Sequence, residues 1–269
     1  MATSIDQPPR VVSPAHAQAF DRQARQLGLR PDDKWIGGYV DYEWDHLRHV
    51  LATLPVAPAE LEVLEFGCNV GASAILFAHL GARVTAVDID RDWLDLARLN
   101  AARYGCDNIA FDCAPDSTRL PYPDGSFDLI ACNSVLEYVA PVELGAVQRE
   151  LDRVLRPGGL ILLTGTSSRL WPREGHTRRW LVNYVPRRFD GFFAQAPARG
   201  ISPWRARHGF GRHYENLDRP GMDACFARSR LAMGSGALRL RLQLGLASLL
   251  GVGPGLLGPY MSCLLKKKH

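Results

Sequence analysis

The sequence predicts an α/β protein built on a doubly wound, mostly parallel sheet. Three observations carry this. Between residues 62 and 164, apolar runs of strand length alternate with stretches of helical periodicity. The first run, Val63-Leu64-Glu65-Phe66, enters a glycine-bearing turn, Gly67-Cys68-Asn69-Val70-Gly71, and then an alanine-rich helix. The second run ends in an acid, Val84-Thr85-Ala86-Val87-Asp88, followed by Ile89-Asp90. Together these form the first half of a nucleotide-binding βαβ unit. The glycines allow a ligand close to the backbone, and Asp88 is placed to accept hydrogen bonds from a ribose diol.

The elements follow in order. Residues 1–15 are rich in Pro, Ser and Ala and read as a mobile segment. Tyr39 to Leu51 has the spacing of an amphipathic helix and carries Tyr39, Tyr42 and Trp44. Strands are expected at 62–66, 83–88, 108–112, 127–132 and 160–164. Helices are expected at 71–80, 91–104, 141–155 and 177–184. The helix from Arg91 has Asp92 in its first turn and is stopped by Gly105. Beyond Gly165 the alternation breaks. Residues 167–235 hold many Pro, Gly and Arg and are too long for a structureless loop. They read as a cap over the carboxyl edge of the sheet, where open α/β sheets bind ligands.

The last segment has two readings. From Leu242 to Leu265 no residue is charged, and Lys266-Lys267-Lys268 follows. That length suffices to span a bilayer. Glycine and proline at Gly251, Gly253, Pro254, Gly255, Gly258 and Pro259 interrupt it, which argues against one continuous helix. The preferred reading is an apolar helix at 236–250 and a strand at 260–266. Peripheral membrane contact through 242–268 stays open.

Composition narrows the class. The hydrophobic fraction of 46% is ordinary for a globular core. The six cysteines form no C-x-x-C pair, and Cys68, Cys113 and Cys132 fall on or beside expected strands. They read as reduced core residues, with no metal site. No signal-peptide pattern opens the chain, so a cytoplasmic protein is expected. The net charge is +4, but from Arg169 to Arg219 there are 11 arginines and no lysine against four acids, a net +7. Arginine favours bidentate recognition of carboxylate or phosphate. An arginine-rich composition with a solvated face explains the same count.

The turn chemistry selects a cofactor. A dinucleotide site needs G-x-G-x-x-G. Here the spacing is Glu65-x-Gly67-x-Asn69-x-Gly71, with Asn69 at a place that tolerates left-handed backbone. A carboxylate at Glu65 repels a pyrophosphate and suits a cationic ligand, so a dehydrogenase is disfavoured. The pattern resembles motif I of the class I S-adenosylmethionine (SAM) methyltransferases. Downstream, Asp116-Ser117-Thr118-Arg119-Leu120-Pro121-Tyr122-Pro123-Asp124-Gly125-Ser126-Phe127-Asp128 is similar to that family's acid-to-strand signature. Asn133 to Val139 and Leu155-Arg156-Pro157-Gly158-Gly159 continue the likeness, which covers about residues 60–166.

The resemblance implies a Rossmann-like fold with a seven-stranded, mostly parallel sheet, an antiparallel C-terminal strand and an inserted cap. It implies SAM as cofactor and S-adenosylhomocysteine as product. Glu65, Gly67, Asn69 and Gly71 would hold the methionine end, Asp88 and Ile89 the ribose region. Asp116 with Ser117 would meet the adenine, Asp112 being the competing acid. Asn133 and Tyr42 complete the expected cofactor set, Tyr42 as part of a lid helix. The resulting division is a mobile segment and lid helix at 1–54, a SAM-binding core at 55–166, a substrate cap with an apolar helix at 167–258, and a final strand with a basic tail at 259–269.

Methyl transfer from a sulfonium needs alignment, and a base only when the acceptor must lose a proton. His176, His213, His208 and Glu137 are the candidate bases. Tyr138 stands where many relatives carry a histidine, so no base transfers from that position. The expected reaction is methylation of an oxygen or nitrogen on a small molecule, acidic or lipid-linked. A membrane-associated quinone or lipid methyltransferase and a non-catalytic SAM-binding regulator are the alternatives. No nucleic-acid partner is expected, since an Asn/Asp-Pro-Pro-aromatic motif and an added RNA-binding module are missing. Oligomeric state is not readable from the sequence.

Overall fold

A computed structural model describes residues 5–192, 199–218 and 225–268. Its strands run in the order β3-β2-β1-β4-β5-β7-β6, a seven-stranded α/β sheet. The chain divides into two compact units, residues 1–131 with 154–156, and residues 132–153 with 157–269.

The first unit contains α1 (Pro14–Gln26), α2 (Tyr39–Leu51), β1 (Glu62–Phe66), α3 (Ala72–His79), β2 (Arg83–Asp88), α4 (Arg91–Arg103), β3 (Ile109–Cys113) and most of β4 (Phe127–Asn133). β1 pairs in parallel with both β2 and β4, and β2 with β3. β1 and β4 are buried at nearly every position, on both faces, hence their near-continuous apolar runs. α3 is buried from Ala72 to Ala78, which is why its sequence shows no polar face. α4 is ordinary by comparison. Asp90 caps it by accepting from the Asp92 N–H, and Gly105, at φ 70°, follows its end.

Two motif fragments prove to be one device. Asp128, at the start of β4, accepts from the Glu62 N–H at 2.9 Å and pairs with Arg156 at 2.7 Å. Arg156 also donates to the Gly125 carbonyl at 2.9 Å. The acid of Ser126-Phe127-Asp128 and the arginine of Leu155-Arg156-Pro157 thus bind each other, fastening the start of β4.

Apart from residues 154–156, the second unit contains α5 (Leu144–Val154) and β5 (Leu155–Ser167), with α6 (Pro203–His208), β6 (Tyr214–Asn216), α7 (Cys225–Ala232), α8 (Ala237–Leu249) and β7 (Tyr260–Lys267). β7 lies antiparallel to β5 on one side and to β6 on the other. The register between β5 and β7 shifts between Leu163 and Thr166, where Gly165 sits at φ 67°.

The structure departs from the expected elements in places. Helix α1 starts at Pro14, inside the segment read as mobile, and Ser13 caps it. The helix expected at 177–184 is only a 3-10 turn at Val182–Tyr184, because Arg178 and Leu181 adopt left-handed backbone. The short strand β6 falls in the stretch read as a cap, and the antiparallel C-terminal strand expected from the sequence lies between it and β5. β5 begins at Leu155, with no turn separating it from α5. Arg219, the last arginine of the basic run, lies outside the described residues.

Candidate functional site

Three positive-φ residues shape the turn after β1: Gly67 at 75°, Asn69 at 49° and Gly71 at 72°. The N–H groups of Gly67 and Cys68 both donate to the Val87 carbonyl, at 2.8 and 3.0 Å. The turn is thereby fastened to the end of β2. The Asn69 N–H donates to the Asp88 carboxylate at 2.9 Å, so Asp88 already holds the turn while its other oxygen receives the Asp90 N–H. From α4, Asn100 donates to the Val70 carbonyl at 2.6 Å. A side chain at Gly71 would press on Ala97, 3.2 Å from its Cβ. Glycine there serves both the left-handed turn and the approach of α4.

Glu65 is the unusual member. It sits one residue before the end of β1, is 2% exposed, and one carboxylate oxygen has no hydrogen-bond partner. Burial pushes its carboxyl up to about 8, although a hydrogen bond from Ser73 opposes the shift, and Glu43 and Asp88 add to it. A buried acid with an unused oxygen is costly by itself. An ammonium group would satisfy it, which fits the amino-acid end of SAM. α2 supplies the neighbours. Burial, then Glu43, pushes the Tyr39 phenol far up, and Tyr39 stacks with Tyr42 at 6.2 Å between ring centres. Trp35 meets the Tyr42 ring edge-on at 4.9 Å, and the Lys34 ammonium lies 3.9 Å from the same ring.

The remaining expected cofactor residues are placed as follows. Ile89 is 61% exposed, an apolar side chain presented beside Asp88. Asp116 is exposed and receives the Thr118 N–H and hydroxyl, at 2.9 and 2.6 Å. These bonds hold its carboxyl below the usual range. Ser117, beside it, is half-buried. Asp112, on β3, accepts the Tyr122 hydroxyl at 2.9 Å. Asn133, at the tip of β4, accepts from the Thr164 hydroxyl at 3.2 Å.

The second unit brings together Glu137 and His176. Glu137 accepts from the Ser167 N–H at 3.0 Å and meets His176 Nε2 at 2.9 Å, its other oxygen buried and unpartnered. The hydrogen bond to Glu137 raises the imidazole above its ordinary pKa, against burial. Glu174 fixes the loop that presents His176. It accepts from the Ser167 hydroxyl, the His176 and Thr177 N–H groups and the Thr177 hydroxyl. Burial pushes the Glu174 carboxyl up, but these donors hold it below its usual range. Tyr138 and Tyr260 flank the imidazole at 5.7 and 5.9 Å. Glu174 and Ser167 are invisible to motif reasoning. The only sequence signal was a second acid two residues before His176.

His213 does not join this group. Its Nε2 meets Asp152 at 2.9 Å, in a cluster with Tyr214 and Lys267. His213 adjoins the Lys267 end of β7, whereas His176 adjoins Tyr260 at the other end. The eight residues of β7 separate those ends by roughly 23 Å at about 3.3 Å per residue. His208 is exposed at the end of α6. Of the cap arginines, Arg173, Arg199 and Arg205 donate to main-chain carbonyls at Arg178, Val182 and Pro141. Among the described residues no His, Cys, Asp and Glu cluster is arranged to hold a metal. Five cysteines are free, and Cys225 has no described side chain.

A family model described as a methyltransferase domain matches residues 64–163. Residues 64–163 thus carry a methyltransferase domain. The chain is 37% identical over 148 residues to a demethylmenaquinone methyltransferase of Clavibacter sepedonicus, covering 55% of this chain and 53% of that one. It is 32% identical over 124 residues to a ubiquinone biosynthesis O-methyltransferase of Idiomarina loihiensis, covering 46% and 47%. The chain spans about half the length of these curated relatives. In fold, a SAM-dependent methyltransferase structure from Mesorhizobium loti matches 84% of this chain and 97% of that one, with a TM-score of 0.54 at 20% identity.

Proposed function

We propose that this protein transfers a methyl group from SAM to a hydroxyl oxygen of a lipophilic small molecule. The observation that carries the cofactor reading is the buried Glu65 carboxylate with an unused oxygen, set beside a turn of three left-handed residues and Asp88. In this reading Glu65 receives the ammonium of the methionine end, Asp88 the ribose, and Ile89 lies against the base. Asp116 and Ser117 meet the adenine edge, and Tyr42 bounds the site. SAM, when bound, supplies an activated methyl group on a good leaving group.

The chain's own contribution is positioning, exclusion of water and removal of a proton. The Glu137–His176 pair supports the last. With Nε2–H donating to Glu137, Nδ1 carries the lone pair that accepts the acceptor's hydroxyl proton. Glu137 fixes that tautomer and steadies the imidazolium, the role a carboxylate plays behind a catalytic histidine. His213, committed to Asp152, has a structural role.

The lipophilic acceptor is favoured over an acidic one on two grounds. Three cap arginines are spent on backbone carbonyls. The same segment exposes Trp180, Leu181, Tyr184 and Phe192. The quinone-methylating names among the relatives agree with this.

Calorimetric titration with SAM, S-adenosylhomocysteine and NAD tests the cofactor. Micromolar binding of the first two and none of NAD is expected. A methyl-transfer screen over hydroquinones, phenols and carboxylated acceptors then tests the chemistry. Turnover of carboxylated acceptors alone would overturn the lipophilic reading, and SAM binding without any turnover would favour a regulator.

A further inference from the structure

α8 is apolar on two opposite faces. Leu240, Leu244 and Ala247 are buried, the two leucines packing with Phe226 and Ala227 of α7. Leu238, Leu242, Leu246 and Leu249 point the other way and are 74%, 67%, 50% and 83% exposed. At about 100° per residue, those four fall within roughly 80° of one another, opposite the buried stripe. The outward face of α4 carries Asp92, Asp95 and Arg98 instead. α4 thus shows no outward leucine stripe.

The charges around the stripe indicate its occupant. Arg239 and Arg241 emerge on either side of the leucines, and Arg228 is exposed on α7. None of the three has an ion pair with a described residue. From Phe226 to Lys268 the sequence contains no Asp or Glu. Burial of one copy's stripe against another would bring these cations together with no acid from the segment to neutralise them. An anionic bilayer surface neutralises them and takes up the leucines.

We propose that α7 and α8 form a membrane-docking element. Leu238, Leu242, Leu246 and Leu249 enter the interfacial layer of an anionic bilayer, and Arg228, Arg239 and Arg241 engage lipid phosphates. No helix among the described residues is long and apolar enough to cross a membrane, so the contact is peripheral. Lys267 takes no part, since it is bonded to Asp152. The proposal is independent of the SAM reading.

Flotation of the full chain with vesicles tests it. Binding is expected to phosphatidylcholine vesicles carrying about one third phosphatidylglycerol, and not to phosphatidylcholine alone. The double variant Leu242→Gln, Leu249→Gln should lose more than about tenfold in bound fraction. The variant Arg239→Glu, Arg241→Glu should lose binding as well, which separates docking from non-specific hydrophobic adsorption. Both alter exposed positions, so circular dichroism and the unfolding midpoint should match wild type. Wild-type protein that stays unbound, or a leucine variant that floats like wild type, overturns the proposal. So does a wild-type dimer in sedimentation that the leucine variant converts to monomer, because the stripe would then serve self-association.

Discussion

In the proposed site, the state of Glu65 makes SAM binding a titration. Burial holds this carboxyl near 8, so at neutral pH most of the free protein carries it protonated. An ammonium ligand needs the ionised form. Removing the proton at pH 7 costs about 1.4 kcal/mol, or about tenfold in affinity, and each further pH unit downward costs about the same. The affinity for SAM should therefore rise about tenfold per unit between roughly pH 5.5 and 7, with nearly one proton released per SAM bound. Calorimetry in two buffers of different ionisation enthalpy counts that proton. Glu65→Gln should abolish both the slope and the release while weakening binding at pH 8. A wild-type affinity that is flat over this range, with no proton released, would show that Glu65 does not meet the ligand's charge.

Other expectations follow the same logic. Asp88→Ala should weaken SAM by about 1–3 kcal/mol, since a charged acceptor and the bond that holds the Asn69 turn are lost together; calorimetry reads this. His176→Ala should lower kcat by about 10²–10⁴-fold with SAM affinity unchanged in calorimetry. Because Glu137 raises the imidazole pKa, kcat should rise with pH through a value above the ordinary histidine range, and Glu137→Gln should move that limb to lower pH. The same pair stabilises the fold below the ordinary histidine pKa, and that contribution fades as pH rises through the raised folded value; thermal melts of Glu137→Gln should lack this dependence. Gly71→Ala should destabilise the protein by about 1–2 kcal/mol, from a left-handed side chain pressed against Ala97, measured by urea unfolding.

The sequence was most legible where function restricts it. The glycine turn, Asp88 and the paired strands could be read because left-handed backbone and a buried parallel sheet leave few residue choices. α1 escaped because its anchorage is not periodic. It buries only Phe20 and Ala24, and the Arg103 guanidinium lies 4.1 Å from the Phe20 ring. A buried arginine stacked on an aromatic ring has no hydropathy signature. Glu137 and His176 could each be suspected, 39 residues apart, but their pairing depends on Glu174 and Ser167 folding a loop around them. His213 looked equivalent in the sequence, and only the register of β7 separates it.

The placement of β7 bears on how the chain comes to fold. Its partner β5 is synthesised about ninety residues earlier. At about 5–20 residues per second, β5 waits several seconds on the ribosome with one edge unpaired. That edge includes Leu160, Ile161, Leu162 and Leu163, an apolar template for pairing with other chains. β6 emerges first but cannot cover it, since β7 must come between them. Completion of the sheet is thus deferred to the last strand made, and a nascent chain arrested before Tyr260 would carry an open, adhesive edge.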